Sequence, residues 1–187
     1  MHEIEPYHRW LDLYNPEDDE QSPFYGVERN QLEYSNTVYN YYIHPLWDEF
    51  GSRTLYLKVL FADYEQSFVI IEMIGEWNDA VENDIMQLKR SVIDAMIQAG
   101  INKFILITEN VLNFHSSDDS YYEEWNDDIS DDGGWIVMLN LPKHSQQDFK
   151  QAHLEHYIFL MEYENWRTHL PQHIFQAIDN SLLRLLL

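Results

Sequence analysis

The stretch from Phe68 to Asp118 constrains the fold more than any other. Phe68-Val-Ile-Ile-Glu-Met-Ile-Gly75 is apolar on both faces apart from Glu72, the pattern of a central strand, and Gly75 is expected to end it. From Asn78 to Gly100, Val81, Ile85, Leu88, Val92 and Met96 recur at helical spacing, widened by Ile93 and Ile97. Asn78 or Asp79 is the expected N-cap, with Glu82 closing a capping box, and Gly100 the left-handed terminator. Ile101-Asn-Lys-Phe-Ile-Leu-Ile-Thr108 then reads as a buried parallel strand. Strand, crossover helix and strand make a βαβ unit.

The flanks extend this unit. Thr54 to Phe61 alternates with a period of two, placing Leu55, Leu57, Val59 and Phe61 on one face and Lys58 on the other, so it pairs with Phe68–Ile74 as a hairpin. After Thr108 the reading predicts a polar turn, Asn113-Phe-His-Ser-Ser-Asp-Asp119, and a short acidic helix to about Ile129 capped by Ser117 or Ser120. Trp135 to Leu141 is a further buried strand, Ser145 to Glu155 a helix, Tyr157 to Met161 a last strand, and Pro171 the first turn of a final helix with Ile174, Phe175, Ile178, Leu182 and Leu185 as its stripe. The tail Leu182–Leu187 is more apolar than one stripe needs, so it is expected to dock on the body or on a second copy.

Residues 1–50 differ in kind. They hold seven of the 13 tyrosines, with Trp10, Phe24, Trp47 and Phe50, but few aliphatics, which is too little for a core of their own. They are expected to form an extension lying on the core or on a partner, with a short helix at Tyr7–Tyr14, an acidic loop at Asn15–Pro23 and a strand at Val38–Ile43. Residues 51–187 form the α/β domain.

The balance of 33 acidic against 11 basic residues, a net charge of −22, argues against nucleic acid and anionic membranes and favours a basic partner. Without cysteine there can be no disulfide, thiol nucleophile or thiolate metal site. The start of the chain has no signal-peptide pattern and no apolar run is long enough for a membrane span, so the expected location is the cytoplasm.

Two segments carry a family likeness. Val69-Ile-Ile-Glu-Met-Ile-Gly-Glu-Trp-Asn78 and Ile105-Leu-Ile-Thr-Glu-Asn-Val-Leu-Asn-Phe-His-Ser-Ser-Asp118 resemble the strands of the STAS domain, the fold of bacterial anti-sigma-factor antagonists, that end in Gly-x-Leu-Asp and Phe-Ile-Asp-Ser-Ser-Gly. The resemblance spans residues 54–187. It implies an α/β fold, a mixed sheet of about four or five strands with helices packed on it, and a non-enzymatic signalling module that binds protein. In that family the first serine is phosphorylated by a partner kinase; the matching residue is Ser116. His115 and Asp118 stand where the family has Asp and Gly, and a phosphate at Ser116 would meet the acids between Asp118 and Asp132.

The candidate sites follow. His115, Ser116, Ser117 and Asp118 form a docking loop or phospho-acceptor, against the alternative of a simple helix cap. Asp119, Glu123, Glu124, Asp127 and Asp128 form a partner-facing acidic helix, against a solvated face. A cation held by this cluster does not match EF-hand spacing. His153 and His156, with His169, His173 and His144 nearby, have spacings that suit zinc, but no His-Glu-x-x-His is present. Without a Gly-x-Ser-x-Gly elbow or a phosphate-binding glycine loop, no hydrolase or nucleotide site is indicated. The expectation is therefore a protein-interaction module without cofactor, with a homodimer through the aromatic segment or the leucine tail as a further expectation. The alternatives are a metal-binding protein or metal-dependent enzyme using the C-terminal histidines or the acidic cluster, and an acidic mimic of nucleic acid.

Overall fold

The computed structural model describes residues 4–185, without the side chain of Leu185. The start of the chain and the end of the leucine tail, on which two of the expectations above fall, lie outside the described residues. A five-stranded mixed sheet runs β3 (Leu55–Asp63), β4 (Phe68–Asn78), β5 (Lys103–His115), β6 (Trp135–Leu139) and β7 (Phe159–Met161), in that spatial order. β3 and β4 are the antiparallel hairpin and the remaining neighbours are parallel. The hairpin turn is set by Asp63, whose Oδ1 accepts from the Glu65 and Gln66 amides at 3.0 and 2.9 Å. This is the mixed α/β arrangement the sequence implied.

Both faces of the sheet are covered. Val69, Ile71 and Met73 of β4 pack on one side against a continuous helical rod, α1 (Asp84–Leu88), a π turn (Lys89–Ile93) and α2 (Asp94–Gln98), and against α3 (Ser120–Ser130) and α4 (Lys143–Gln151). Phe68 and Ile70 face the other way, with Ile105 and Ile107, beneath Ile174, Phe175, Ile178 and Leu182 of α5 (Pro171–Leu185). Trp10, from the start of the chain, joins this second cluster. Tyr7, Trp10 and Trp166 meet edge to face, with ring centroids 5.0–5.8 Å apart. The early aromatics thus fill a face that α5 alone leaves open.

Several expectations change. Gly75 does not end β4. It lies inside the strand at φ +120°, where a Cβ would collide with the Thr54 carbonyl oxygen, and β4 continues through Trp77 to Asn78. β5 likewise passes the polar pair Glu109-Asn110, which a register shift opposite Glu72 and Ile74 absorbs. It then resumes a buried pattern at Val111 and Phe114, so His115 is strand rather than turn. The helix begins at Asp84, not Asn78; Val81, expected on its apolar stripe, is 76% exposed.

Tyr7–Tyr14 is a set of turns, not a helix, and Leu11 faces solvent while Trp10 is buried. Its backbone is shaped by docking on the sheet rather than by its own periodicity. Val38–Ile43 is not one strand but a tight hairpin, β1 (Thr37–Val38) and β2 (Tyr41–Tyr42), because Tyr39 turns at φ +53°. Gly100 (φ +95°) ends α2 as expected.

Candidate functional site

β4 and β5 stay paired out to Asn78 opposite His115, so the turns that follow them leave the sheet side by side. This is the carboxyl end of parallel strands, the usual place for a site in an open α/β sheet. The Asp79 amide donates to the His115 carbonyl oxygen at 2.8 Å, extending the ladder by one bond. Asn78 Oδ1 accepts from the Val81 amide at 3.0 Å and shapes the turn.

Asp79 is the anchor of this corner. It is buried, and its Oδ1 accepts from Trp77 Nε1 at 2.9 Å and from the Ile85 amide at 2.8 Å. Its Oδ2 accepts from the Tyr122 hydroxyl at 2.5 Å. One carboxylate therefore ties the end of β4, the first turn of α1 and the side of α3 together. Asn83, at the start of α1, makes no side-chain cap, so Asp79 supplies the capping bond from further back than the expected capping box. Burial pushes the Asp79 carboxyl up to about 6, against the pull of its three donors. Asp84 beside it is also raised by burial, and its Oδ2 accepts from the Asn78 amide at 2.7 Å.

The loop held at this corner is the one singled out by sequence. His115 is exposed, with Nε2 3.1 Å from Oε1 of the buried Glu76. Ser116 is half-buried; Ser117, Asp118 and Asp119 are exposed. Asp118 Oδ1 accepts from the Ser120 amide at 2.9 Å, and Asp119 Oδ2 from the Tyr157 hydroxyl at 3.2 Å. α3 starts at Ser120, so Ser116 stands ahead of the helix with two carboxylates between. An open cleft of about 600 Å³ runs beside the loop, lined by Asn78, Val81, His115, Ser116, Ser117 and Asp148 among others.

α3 divides its acids between two environments. Glu123 and Asp127 face solvent. Glu124 and Asp128, expected on the same partner-facing surface, point to the helical rod instead. Arg90 grips Glu124 with both terminal nitrogens at 2.6 and 2.8 Å. Lys89, fully buried at the π turn, reaches Asp128 at 2.8 Å and also pairs with Asp94. Asp94, Glu124 and Asp128 are the one group of three among the described residues whose ligand atoms lie close enough for a metal ion, and the Lys89 ammonium is paired with all three. The sequence signal for this was Lys89-Arg90, the one adjacent basic pair in the chain.

His153 and His156 are exposed, with rings stacked 6.3 Å apart. His144 Nε2 bonds the Leu112 carbonyl oxygen, and His169 packs edge-on to Tyr163. No histidine joins a group of three candidate ligands among the described residues.

A second charged cluster went unpredicted. Glu72, fully buried in β4, accepts from the Tyr7 amide at 2.7 Å and from Arg167 Nη2 at 3.2 Å. Arg167 also pairs with Glu109 and lies 4.3 Å over the Trp166 ring. Burial pushes the Glu72 carboxyl up to about 7. The signal was the lone acid in the apolar run Phe68–Gly75.

No family model matches the chain, and no curated protein is similar to it. Among solved structures, the chain is similar to the anti-sigma factor antagonist SpoIIAA in its unphosphorylated form, at 14% identity and a TM-score of 0.49, over 66% of this chain and 96% of that one. It is also similar to the Bacillus cell fate determinant SpoIIAA in the phosphorylated form, at 16% identity and a TM-score of 0.44, over 67% and 98% of the two chains.

Proposed function

We propose that the chain is a non-enzymatic, STAS-like regulatory module that binds another protein through the His115–Asp119 loop and the outward face of α3. One contrast carries this reading. Glu124 and Asp128 are neutralised by Lys89 and Arg90, whereas Asp118, Glu123 and Asp127 face solvent without a cationic partner among the described residues. A row of uncompensated carboxylates beside a cleft, on a loop fixed at its base by Asp79, suits a partner that presents lysine or arginine. Glu124 and Asp128 drop out of the contact surface.

Docking is the role we assign to Ser116, because Asp118 already accepts from the first amide of α3 and a phosphate would add like charge there. Residues 1–50 are, in this reading, an extension of the 51–187 domain. No helix among the described residues is long and apolar enough to cross a membrane, and we place the module in the cytoplasm. Exposed tyrosines of the extension are the surface we assign to a homodimer.

A photo-crosslinking residue at Ser117 tests the docking surface, in the cells that make the protein. It should trap a partner of basic character that the same residue at Leu183, exposed on α5, does not. Equal trapping at both positions, or none at Ser117, would remove the loop from the contact surface.

A further inference from the structure

The two oxygens of Glu76 are shared between parts of the chain far apart in sequence. Glu76 is 6% exposed at the end of β4. Its Oε2 accepts from the Tyr39 hydroxyl at 2.5 Å, and its Oε1 lies 3.1 Å from Nε2 of His115, the last residue of β5 before the serine loop. Tyr39 occupies the turn of the β1–β2 hairpin at φ +53°, a left-handed conformation that is unfavourable for a non-glycine residue and persists where surroundings hold it. The hairpin is seated on the sheet by Val38 and Ile43, which pack with Trp47, Tyr56 and Ile74. Tyr39 is 67% exposed, so little burial holds it; the contact that fixes its tip is the bond to Glu76.

We propose that the β1–β2 hairpin is a gate on the serine loop. The Tyr39–Glu76–His115 bridge keeps His115 against β4 and so keeps Ser116 to Asp119 where they stand. When the hairpin lifts, Glu76 loses the hydroxyl that fixes the orientation of its carboxylate, Oε1 is free to turn away from His115, and the Asp79–His115 backbone bond loses that support. The docking reading supplies the functional consequence of this gate, but the coupling itself is a property of the free chain.

Backbone amide NMR on the full chain separates the two. In Tyr39→Phe, which keeps the ring and removes the hydroxyl, and in Glu76→Leu, which keeps the volume and removes both acceptors, the order parameters of residues 115–119 should fall below about 0.6. The Asp79 amide should exchange at least about tenfold faster in both, while Phe104 to Ile107 in the middle of β5 exchange as before. Tyr41→Phe, an exposed hairpin tyrosine with no bond to Glu76, should change neither. Unaltered order parameters and Asp79 exchange in both variants would overturn the gate, as would an equal change in Tyr41→Phe or a rise spread evenly through the sheet. No partner is present in this experiment, so its failure leaves the docking surface standing, and failure of the crosslink leaves the gate standing.

Discussion

Asp79→Ala is expected to lower the free energy of unfolding by about 4 kcal/mol, from unsatisfied buried donors at about 1–3 kcal/mol each. Trp77 Nε1, the Ile85 amide and the Tyr122 hydroxyl all donate to this carboxylate, and the Trp77 and Tyr122 side chains are fully buried, so water cannot replace what alanine removes. Asp79→Asn separates hydrogen bonding from charge. Its amide oxygen can still accept from Trp77 and Ile85, while Tyr122 can turn to accept from the new NH₂, so a loss of only about 1 kcal/mol is expected. Urea unfolding followed by tryptophan fluorescence measures both. A loss below about 1 kcal/mol in the alanine variant would mean that Asp79 is not the anchor of the corner.

The second large effect depends on pH. Arg167→Ala leaves Glu72 buried with only the Tyr7 amide for a partner. A raised carboxyl pKa means that the folded state binds more protons than the unfolded chain between the ordinary value of 4.5 and about 7. Its contribution to stability is therefore fully present below 4.5 and is lost as pH rises through 7. Arg167 opposes that loss by favouring the ionised form, so removing it moves the Glu72 titration still higher. The variant should lose about 2–3 kcal/mol at pH 8, somewhat less than is usual for breaking a buried pair because Arg167 is half-exposed. At pH 5 Glu72 is protonated with or without Arg167, and the loss should shrink to about 1 kcal/mol, the worth of the Glu109 pair and the Trp166 stack. Comparing variant with wild type at each pH cancels the background of other carboxylates. An equal loss at both pH values would show that Glu72 stays ionised across the range.

The central fold was legible because its signals are local. Alternation in Leu55–Val59, the apolar run of β4, the stripe Ile85–Met96 and the terminator Gly100 each point to one element, although a bulge after Val59 turns Phe61, expected on the face of Leu55 and Leu57, to the other side of the sheet. The extent of β4 and β5 was not legible, since Gly75 and Glu109-Asn110 carry the marks of strand breakers. Only the approach of Thr54 to Gly75 and the register shift opposite Glu109 explain why both strands continue, and those are contacts between segments distant in sequence. The serine loop was found by its own residues, yet its anchor was read as an ordinary helix cap. The sheet's second face explains the early aromatics: Trp10 meets Tyr7 of its own segment, but the pair is buried only against Trp166 across the fold. Likewise, the acids of α3 look equivalent along the chain, and the helical rod with its Lys89-Arg90 pair is what divides them.

The most direct measurement of the central claim is the affinity of the partner for a Glu123→Lys/Asp127→Lys variant, by titration calorimetry at low and moderate salt. Both side chains are exposed and make no described ion pair, so the fold should be unaffected. If the outward acids of α3 meet a basic surface, affinity should fall at least about tenfold and lose most of its salt dependence. The matching reversal at Glu20 and Glu65, exposed in the Asn15–Pro23 loop and the β3–β4 turn, should leave it unchanged. Undiminished affinity in the α3 variant would contradict the account and place the partner elsewhere on the molecule.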